Sequence, residues 1–384
     1  MAKGKRAGRG EGSVYQRNDK RGKKWVASFI VEETGKRQYI YKETRKEAVE
    51  ALRDALQAQK QGTLATGPKQ TVGQYLEHWL ENALKPPAIR ISSHIRYKGL
   101  LYNHILPAFG HVQLQKLTTE HLERLYTKLQ KEGYSSHTIR GIHGFLHKAL
   151  NQAVRRNYIS RNVCDFVDLP RNTTHATIQV LDTHQAKHLL EVAKGHNLET
   201  FLMVAITTGM RFGELTALRW QDINFEEGTI YIHRTVKYLS GHGFVEGEPK
   251  TAKSKRKIMV PGITVEGLKR HYEQQLEMRL KAGPAWKERE IVFPNQYGNF
   301  LREEVVMNRF HKLLEQAELP TMRLHDLRHS AASILLASGV NPKLIQELLG
   351  HSKIGMTLDT YSHVLPSMQK EVKDKWDNLF DNPS

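Results

Sequence analysis

Two arginines, two histidines and a tyrosine stand in short motifs in the second half of the chain. His325 and Arg328 are three residues apart, so a helix would carry both on one face. Arg211 lies upstream in the segment TTGMRFGEL, His351 directly follows the segment LLG, and Tyr361 comes ten residues after His351. A guanidinium is always charged and can donate two parallel hydrogen bonds to a phosphate. These residue types therefore suit chemistry at a phosphodiester.

Breaking a phosphodiester without a metal requires a nucleophile, cations that neutralise charge on the non-bridging oxygens, and an acid for the departing oxygen. Arg211 and Arg328 suit the second requirement. His325 can donate a further hydrogen bond, and His351 can add another or orient the nucleophile. Glu214 lies one helical turn beyond Arg211. We expect it to hold Arg211 or a histidine in its rotamer.

The order HxxR, LLGHS and TYSH, with the arginine segment upstream, resembles the catalytic half of the tyrosine recombinases. The similarity runs from about residue 181 to residue 365 and is closest to integrases of phages and conjugative transposons. It implies that Tyr361 is the nucleophile and forms a 3′-phosphotyrosine with a free 5′-hydroxyl. It also implies a reaction that needs no cofactor, metal or ATP. The chain contains no GxxxxGK[ST] phosphate-binding loop.

The acid that protonates the leaving oxygen is expected among the lysines before Pro261. In the resembled family the catalytic lysine precedes the strand that ends in proline. Counting back from Pro261 favours Lys253, while Lys250 and Lys255 remain open.

Two helices should carry the last motifs. The apolar residues Ala331, Ile334 and Leu335 continue the helix of His325 and Arg328, and Gly339 suits its C-terminal end. Asn341 with Pro342 predicts the start of the next helix, which ends at Gly350. Upstream, the alternation of residues 229–238 predicts a single strand, and residues 255–260 predict another.

The charge of the chain favours a polyanionic partner. Its 58 Lys and Arg outnumber 40 Asp and Glu, a net charge of +18, and nucleic acid is the partner that fits best.

Cys164 is the single cysteine, which excludes an intrachain disulfide and a cysteine zinc site. The N-terminus lacks the apolar core of a signal peptide, and no apolar run could span a membrane. We expect a cytoplasmic, nucleoid-associated protein.

The pattern of elements predicts a multidomain, mainly α fold with small β-sheets. Residues 1–64 should form a basic tail, a three-stranded sheet and a helix, similar to an arm-site DNA-binding domain. Residues 71–165 should form a helical core-binding bundle, in which the second helix runs from about Ser92 to Leu106 and is ended by Pro107. Residues 179–384 should form a mixed α+β catalytic domain with a C-terminal tail.

The expected partner is double-stranded DNA with separate core and arm sites. Basic residues of the first two domains are the candidate DNA contacts: Lys3, Arg6, Arg9, Arg17, Lys24, Arg37, Arg96, Lys98, Arg140, Arg155 and Arg156. The resemblance implies a homotetramer on DNA that exchanges strands through a Holliday junction. A directionality factor and a host DNA-bending protein are further candidate partners. The apolar face of the tail, with Trp376 and Phe380, is expected to dock on a neighbouring protomer.

Three other interpretations compete with a recombinase. His325 and His329 mimic the HExxH zinc motif, but Asp326 replaces its glutamate and no third ligand stands out. A type IB topoisomerase would share the chemistry, but the N-terminal basic domain and bundle favour an integrase. A catalytically silent DNA-binding regulator is disfavoured because every position of the catalytic motifs is filled.

Overall fold

The computed structural model describes residues 12–19, 22–32, 35–61, 64, 66–171, 179–249 and 254–350. The chain divides into two compact units, Met1–His175 and Ala176–Ser384. The first unit contains two separate hydrophobic cores, one under a small sheet and one inside a helical bundle. The second unit contains one large core and two smaller clusters.

The N-terminal sheet has three antiparallel strands: β1 (Ser13–Asp19), β2 (Gly22–Ile30) and β3 (Arg37–Lys42), in the order β1-β2-β3. Helix α1 (Arg45–Lys60) follows and begins at the capping box of Thr44 and Glu47. One face of the sheet packs on α1 through Ala27 and Phe29 against Leu52. The predicted sheet-plus-helix is confirmed.

The bundle consists of α2 (Val72–Ala83), α3 (Ile91–Leu100), α4 (Leu106–Phe109), α5 (Thr119–Lys131) and α6 (Ser136–Arg155). The apolar residues at helical spacing meet in one core, in which Trp79 and Phe145 contact edge to face. The Trp79 indole also donates to Gln152 of α6.

Pro107 does not end the second helix of the bundle, so that prediction was wrong. Leu101–Ile105 forms a π-helical turn, in which the Leu106 N–H donates to the Leu101 carbonyl five residues back. Pro107 then lies in the first turn of α4. A backbone N–H in this turn has no intrahelical acceptor, so proline loses no hydrogen bond here. The wide turn therefore allows the helical path to continue to Phe109.

The second unit begins with α7 (Thr183–Val192), α8 (Glu199–Thr208) and α9 (Phe212–Ala217). Strands β4 (Ile223–Asn224), β5 (Thr229–Ile232), β6 (Thr235–Leu239), β7 (Gly243–Gly247) and β8 (Arg256–Met259) follow. The remaining described helices are α10 (Gly262–Ala282), α11 (Glu303–Gln316), α12 (Leu324–Ala337) and α13 (Pro342–Leu349). Helix α8 is buried along most of its length in the large core, which explains its unbroken apolar run.

Residues 229–238 form two strands in two different sheets, not the single strand that alternation predicts. β5 pairs with β4 and β8 in an antiparallel sheet of order β4-β5-β8, while β6 and β7 form a separate hairpin. The break falls at His233 and Arg234, and both side chains bond to Oδ1 of the buried Asp222, at 3.0 and 2.5 Å. A single strand would send these neighbours to opposite faces.

Within the described part of the chain, no helix is both long and apolar enough to cross a membrane.

Helix α8 ends at Gly209, whose φ of +60° lies in the left-handed region. A Cβ there would lie 2.4 Å from Cδ2 of the buried Leu349. Gly339, after α12, has a similar φ of +76°, but a Cβ there would meet nothing within 4 Å. An alanine at either glycine would strain the backbone, but only at Gly209 would it also overlap a neighbouring side chain. Comparing the two positions therefore separates backbone strain from steric overlap.

We predict that Gly209→Ala destabilises the second unit by about 2–4 kcal/mol and Gly339→Ala by about 1 kcal/mol. Hydrogen exchange of the amides of α8 and α13, read by mass spectrometry, measures the difference. Equal protection in the two variants would mean that Leu349 moves aside at no cost.

Candidate active site

Arg211 lies at the N-terminal boundary of α9, and Glu214 occupies the third helical position. The Arg211 backbone N–H donates to Oε2 of Glu214 at 3.1 Å, and Arg211 Nη1 donates to Oε1 at 2.8 Å. Glu214 is buried, whereas Arg211 is partly exposed. Glu214 is therefore bonded to Arg211, and its role in orienting that guanidinium stays a prediction.

Arg256 of β8, to which the sequence analysis assigned no role, is a second cation on Glu214. Its Nη2 donates to Oε2 of Glu214 at 3.0 Å. Burial alone would raise the pKa of the Glu214 carboxyl, but Arg256 and Arg211 outweigh it and hold that pKa below its ordinary value. Glu214 is therefore a buried carboxylate shared by two guanidinium groups.

Arg328 is buried on α12, with 2 % of its surface exposed. Its Nη1 donates to the Gly209 carbonyl at 2.6 Å, and its Nη2 donates to the Leu349 carbonyl at 2.7 Å. These bonds use two of the five donors that a guanidinium carries. Gly209 precedes Arg211 by two residues and Leu349 precedes His351 by two, so Arg328 joins three of the predicted catalytic segments.

His325 reaches the surface beside this cluster, and its ring meets that of His329 edge to face at 5.1 Å. Although the side chain keeps contact with solvent, the atoms packed around its ring disfavour the charged form. His329, Arg328 and Arg211 add repulsion, and together these effects lower the pKa of His325 to about 4. At neutral pH the ring is therefore uncharged, with one nitrogen that donates and one that accepts.

The Asp326 carboxylate of the HDxxH motif is buried and directed to Arg323. Arg323 donates to it from its backbone N–H at 2.9 Å and from Nη2 at 2.7 Å. Among the described residues no group of three metal-ligating side chains comes together.

Three predicted catalytic residues, Lys253, His351 and Tyr361, lie outside the described residues, as do the alternative lysine Lys250 and the C-terminal tail. The third candidate lysine is described. Lys255 is exposed and directly precedes β8, between the buried Ser254 and Arg256, and its Nζ donates to Glu248 at 2.7 Å. Lys255 is therefore engaged by an acidic side chain other than Glu214.

Three predicted DNA contacts, Arg17, Lys24 and Arg37, lie on the face of the N-terminal sheet opposite α1. Arg17 is opposite Lys24 in the register, and Arg37 is opposite Ile30. Between them on the same face lie the exposed side chains of Tyr15, Tyr39 and Tyr41. These tyrosines were not among the predicted DNA contacts, although their alternation with the residues of the buried face could have revealed them. Lys3, Arg6 and Arg9 are outside the described residues.

The five predicted contacts on the bundle are all exposed: Arg96, Lys98, Arg140, Arg155 and Arg156. Arg140 donates to the Pro170 carbonyl at 2.9 Å, and Lys98 lies over the Tyr102 ring. Arg155 and Arg156 share an open depression with His147 and Lys148 at the C-terminal half of α6. Arg140 is thus bonded to the segment that follows the bundle, whereas Arg155 and Arg156 lie in the depression at the other end of α6.

Comparison with known proteins identifies the family. The phage integrase family model matches residues 179–368, and a model of the integrase N-terminal SAM-like domain matches residues 71–130. The ICEBs1 integrase of Bacillus subtilis is 30 % identical over 286 residues, which covers 73 % of this chain and 76 % of the relative. The chain belongs to the phage integrase family. It is a tyrosine-type site-specific recombinase, which cleaves and rejoins DNA.

Other members agree over most of the chain. A XerC-like tyrosine recombinase of Caldanaerobacter subterraneus subsp. tengcongensis is 28 % identical and covers 95 % of this recombinase and 98 % of its own length. Among solved structures, the Tn1549 transposon integrase in complex with transposon right end DNA has a TM-score of 0.68 at 22 % identity, covering 79 % of this chain and 99 % of that one. The predicted fold class is confirmed by this likeness.

We predict that His325 titrates well below the ordinary histidine pKa of about 6.5. Between pH 4 and 6.5 the unfolded chain binds a proton at this position that the folded chain does not, so stability should fall as the pH falls through this window. Nuclear magnetic resonance of ¹³C-labelled histidine rings, with the signal assigned through His325→Gln, measures the midpoint. A titration midpoint at pH 6.5 or above would contradict the lowered pKa that burial of the ring and its cationic neighbours predict.

Proposed function

We propose that this recombinase cleaves DNA with Tyr361 as nucleophile and with Arg211, Arg328, His325 and His351 around the scissile phosphate. The observation that carries the proposal is the Arg328 guanidinium, which bonds to the carbonyls of Gly209 and Leu349. These bonds hold the chain just before Arg211 and just before His351 to the helix that bears His325. Three segments that are far apart in sequence thereby come together, as the family motifs require if they form one active site.

In the proposed reaction the Tyr361 oxygen attacks phosphorus, and the bond from phosphorus to the 5′ oxygen breaks. The guanidinium groups of Arg211 and Arg328 stabilise the charge that develops on the non-bridging oxygens. His325, neutral at physiological pH, donates a hydrogen bond to the same oxygens and adds no further charge to the cluster. The phosphotyrosine retains the energy of the broken bond, so attack by a 5′-hydroxyl rejoins the strand without ATP.

The ion pair of Lys255 with Glu248 supports Lys253 as the acid that protonates the 5′ oxygen. Lys253 is two residues before Lys255 and is close in sequence to Ser254, which is buried beside Arg256. Lys250 is the alternative if the hairpin brings it closer to the scissile phosphate.

The proposed substrate is duplex DNA of a mobile element and its target, bound at core and arm sites. The open face of the N-terminal sheet, with its three tyrosines between basic residues, suits arm-site binding, since a sheet can enter the major groove. The basic surfaces of the bundle suit the core site through phosphate contacts. We place the enzyme with the chromosome in the cytoplasm because DNA is its substrate.

We further propose that four protomers assemble on two DNA sites and exchange strands through a Holliday junction. The lambda integrase, a fold neighbour with a TM-score of 0.56, has been solved as a tetramer bound to a Holliday junction. A directionality factor and a host DNA-bending protein complete the proposed set of partners.

We predict that Tyr361→Phe binds attachment-site DNA as the wild type does but forms no covalent adduct, because the phenyl ring lacks the attacking oxygen. A nicked suicide substrate, incubated with EDTA and without ATP and analysed by denaturing electrophoresis, gives the measurement. Tyr272→Phe, on the exposed surface of α10, is the matched control and should retain the adduct. An adduct in Tyr361→Phe would identify another nucleophile.

We predict that Lys253→Ala slows cleavage by about 10²- to 10⁴-fold, as expected for loss of a general acid. A 5′-bridging phosphorothiolate substrate should restore most of that rate, because a thiolate leaves without protonation. Lys255→Ala should cleave both substrates nearly as the wild type does, since an exposed ion pair contributes about 0–1 kcal/mol. The reverse pattern would assign the acid to Lys255.

A further inference from the structure

Arg256 is a charged residue on the inward face of β8. This strand alternates, with Arg256 and Ile258 buried and Lys257 and Met259 exposed, and β5 is its one partner among the strands of the described residues. Only 8 % of Arg256 is exposed. Burying a guanidinium is unfavourable in free energy unless it is well bonded. The hydrogen-bond partners of Arg256 therefore indicate its structural role.

Each nitrogen of the Arg256 guanidinium donates to a different segment. Nε donates to the Leu348 carbonyl at the end of α13 at 2.6 Å, and Nη1 donates to the Ser254 carbonyl at 3.1 Å. Nη2 donates to Glu214 at 3.0 Å. All three nitrogens of the planar guanidinium thus donate hydrogen bonds. A lysine, with a single nitrogen, cannot reproduce this geometry.

The bond to Glu214 fixes the carboxylate that orients Arg211. Oε2 of Glu214 accepts from both Arg256 and the Arg211 backbone N–H, which leaves Oε1 to accept from Arg211 Nη1. Without Arg256, the buried carboxylate would be balanced by Arg211 alone. It would then be expected to rotate and draw the Arg211 guanidinium toward itself.

We propose that Arg256 is a positioning residue of the recombination reaction. By holding Glu214 it directs the partly exposed Arg211 toward the scissile phosphate. The proposal rests on the proposed role of Arg211 in phosphate stabilisation. Arg256 itself is bonded on every nitrogen to protein groups, so we assign its effect on the reaction to the orientation of Arg211.

The test compares Arg256→Ala with Arg234→Ala. Arg234 is the matched control because it also bonds to a buried carboxylate of the second unit, that of Asp222, at 2.5 Å. Two suicide substrates are used, one with an ordinary scissile phosphate and one with a methylphosphonate, in which a methyl group replaces a charged non-bridging oxygen. The measured quantities are the rate of covalent adduct formation and the affinity for core-site DNA.

On the phosphate substrate, Arg256→Ala should bind DNA as the wild type does but cleave about 10- to 100-fold more slowly, as expected for a misdirected catalytic group. On the methylphosphonate, the ratio of wild-type to variant rates should approach one, because the charge that Arg211 neutralises is absent. Arg234→Ala should show the same rate ratio on both substrates.

Equal slowing of Arg256→Ala on both substrates would overturn the proposal and make Arg256 a general structural residue. An unchanged cleavage rate would overturn it too. If Arg256→Ala fails to fold, Arg256→Lys takes its place, since it retains the charge and loses the fork, and the same criterion applies. Absence of any adduct in the wild type would instead refute the proposed function.

Discussion

The end of α13 is buried, and its last carbonyls need donors that the helix cannot supply. Two arginines meet this need: Arg256 donates to the Leu348 carbonyl and Arg328 to the Leu349 carbonyl. Cations at a helix C-terminus are also favoured by the helix dipole. The rest of the site depends on this constraint, because the same two guanidinium groups reach back to Gly209 and to Glu214.

The charge balance of the cluster follows from those bonds. Three arginines converge with one buried carboxylate, Glu214, so the cluster carries an excess of positive charge, which suits the phosphate of the proposed reaction. A protonated His325 would add to the repulsion, and its pKa is lowered first by burial of the ring and then by His329, Arg328 and Arg211. The site is thus preorganised for an anion, while its histidine remains a neutral hydrogen-bond donor.

Features determined by local chemistry were predictable from the sequence. Helix ends belong to this class, because each depends on a few neighbouring residues. Examples are the capping boxes at Thr44 and Thr71, the start of α13 at Asn341–Pro342 and its left-handed end at Gly350. Features determined by distant partners were not. The π-turn before Pro107, the break at His233 and the role of Arg256 depend on contacts made only after folding. The roles of Lys253, His351 and Tyr361 remain predictions.

Every bond described in the Arg211–Glu214–Arg256–Arg328 cluster joins residues of the second unit. The cluster is therefore a modular feature in the sense used in protein engineering. If the first unit addresses the DNA as proposed, exchange of its sheet or bundle between relatives would change the addressed DNA, and each of these bonds would still join two residues of the second unit. Replacing β8 alone would not be neutral in such chimeras, because it would separate Arg256 from the carboxylate it holds.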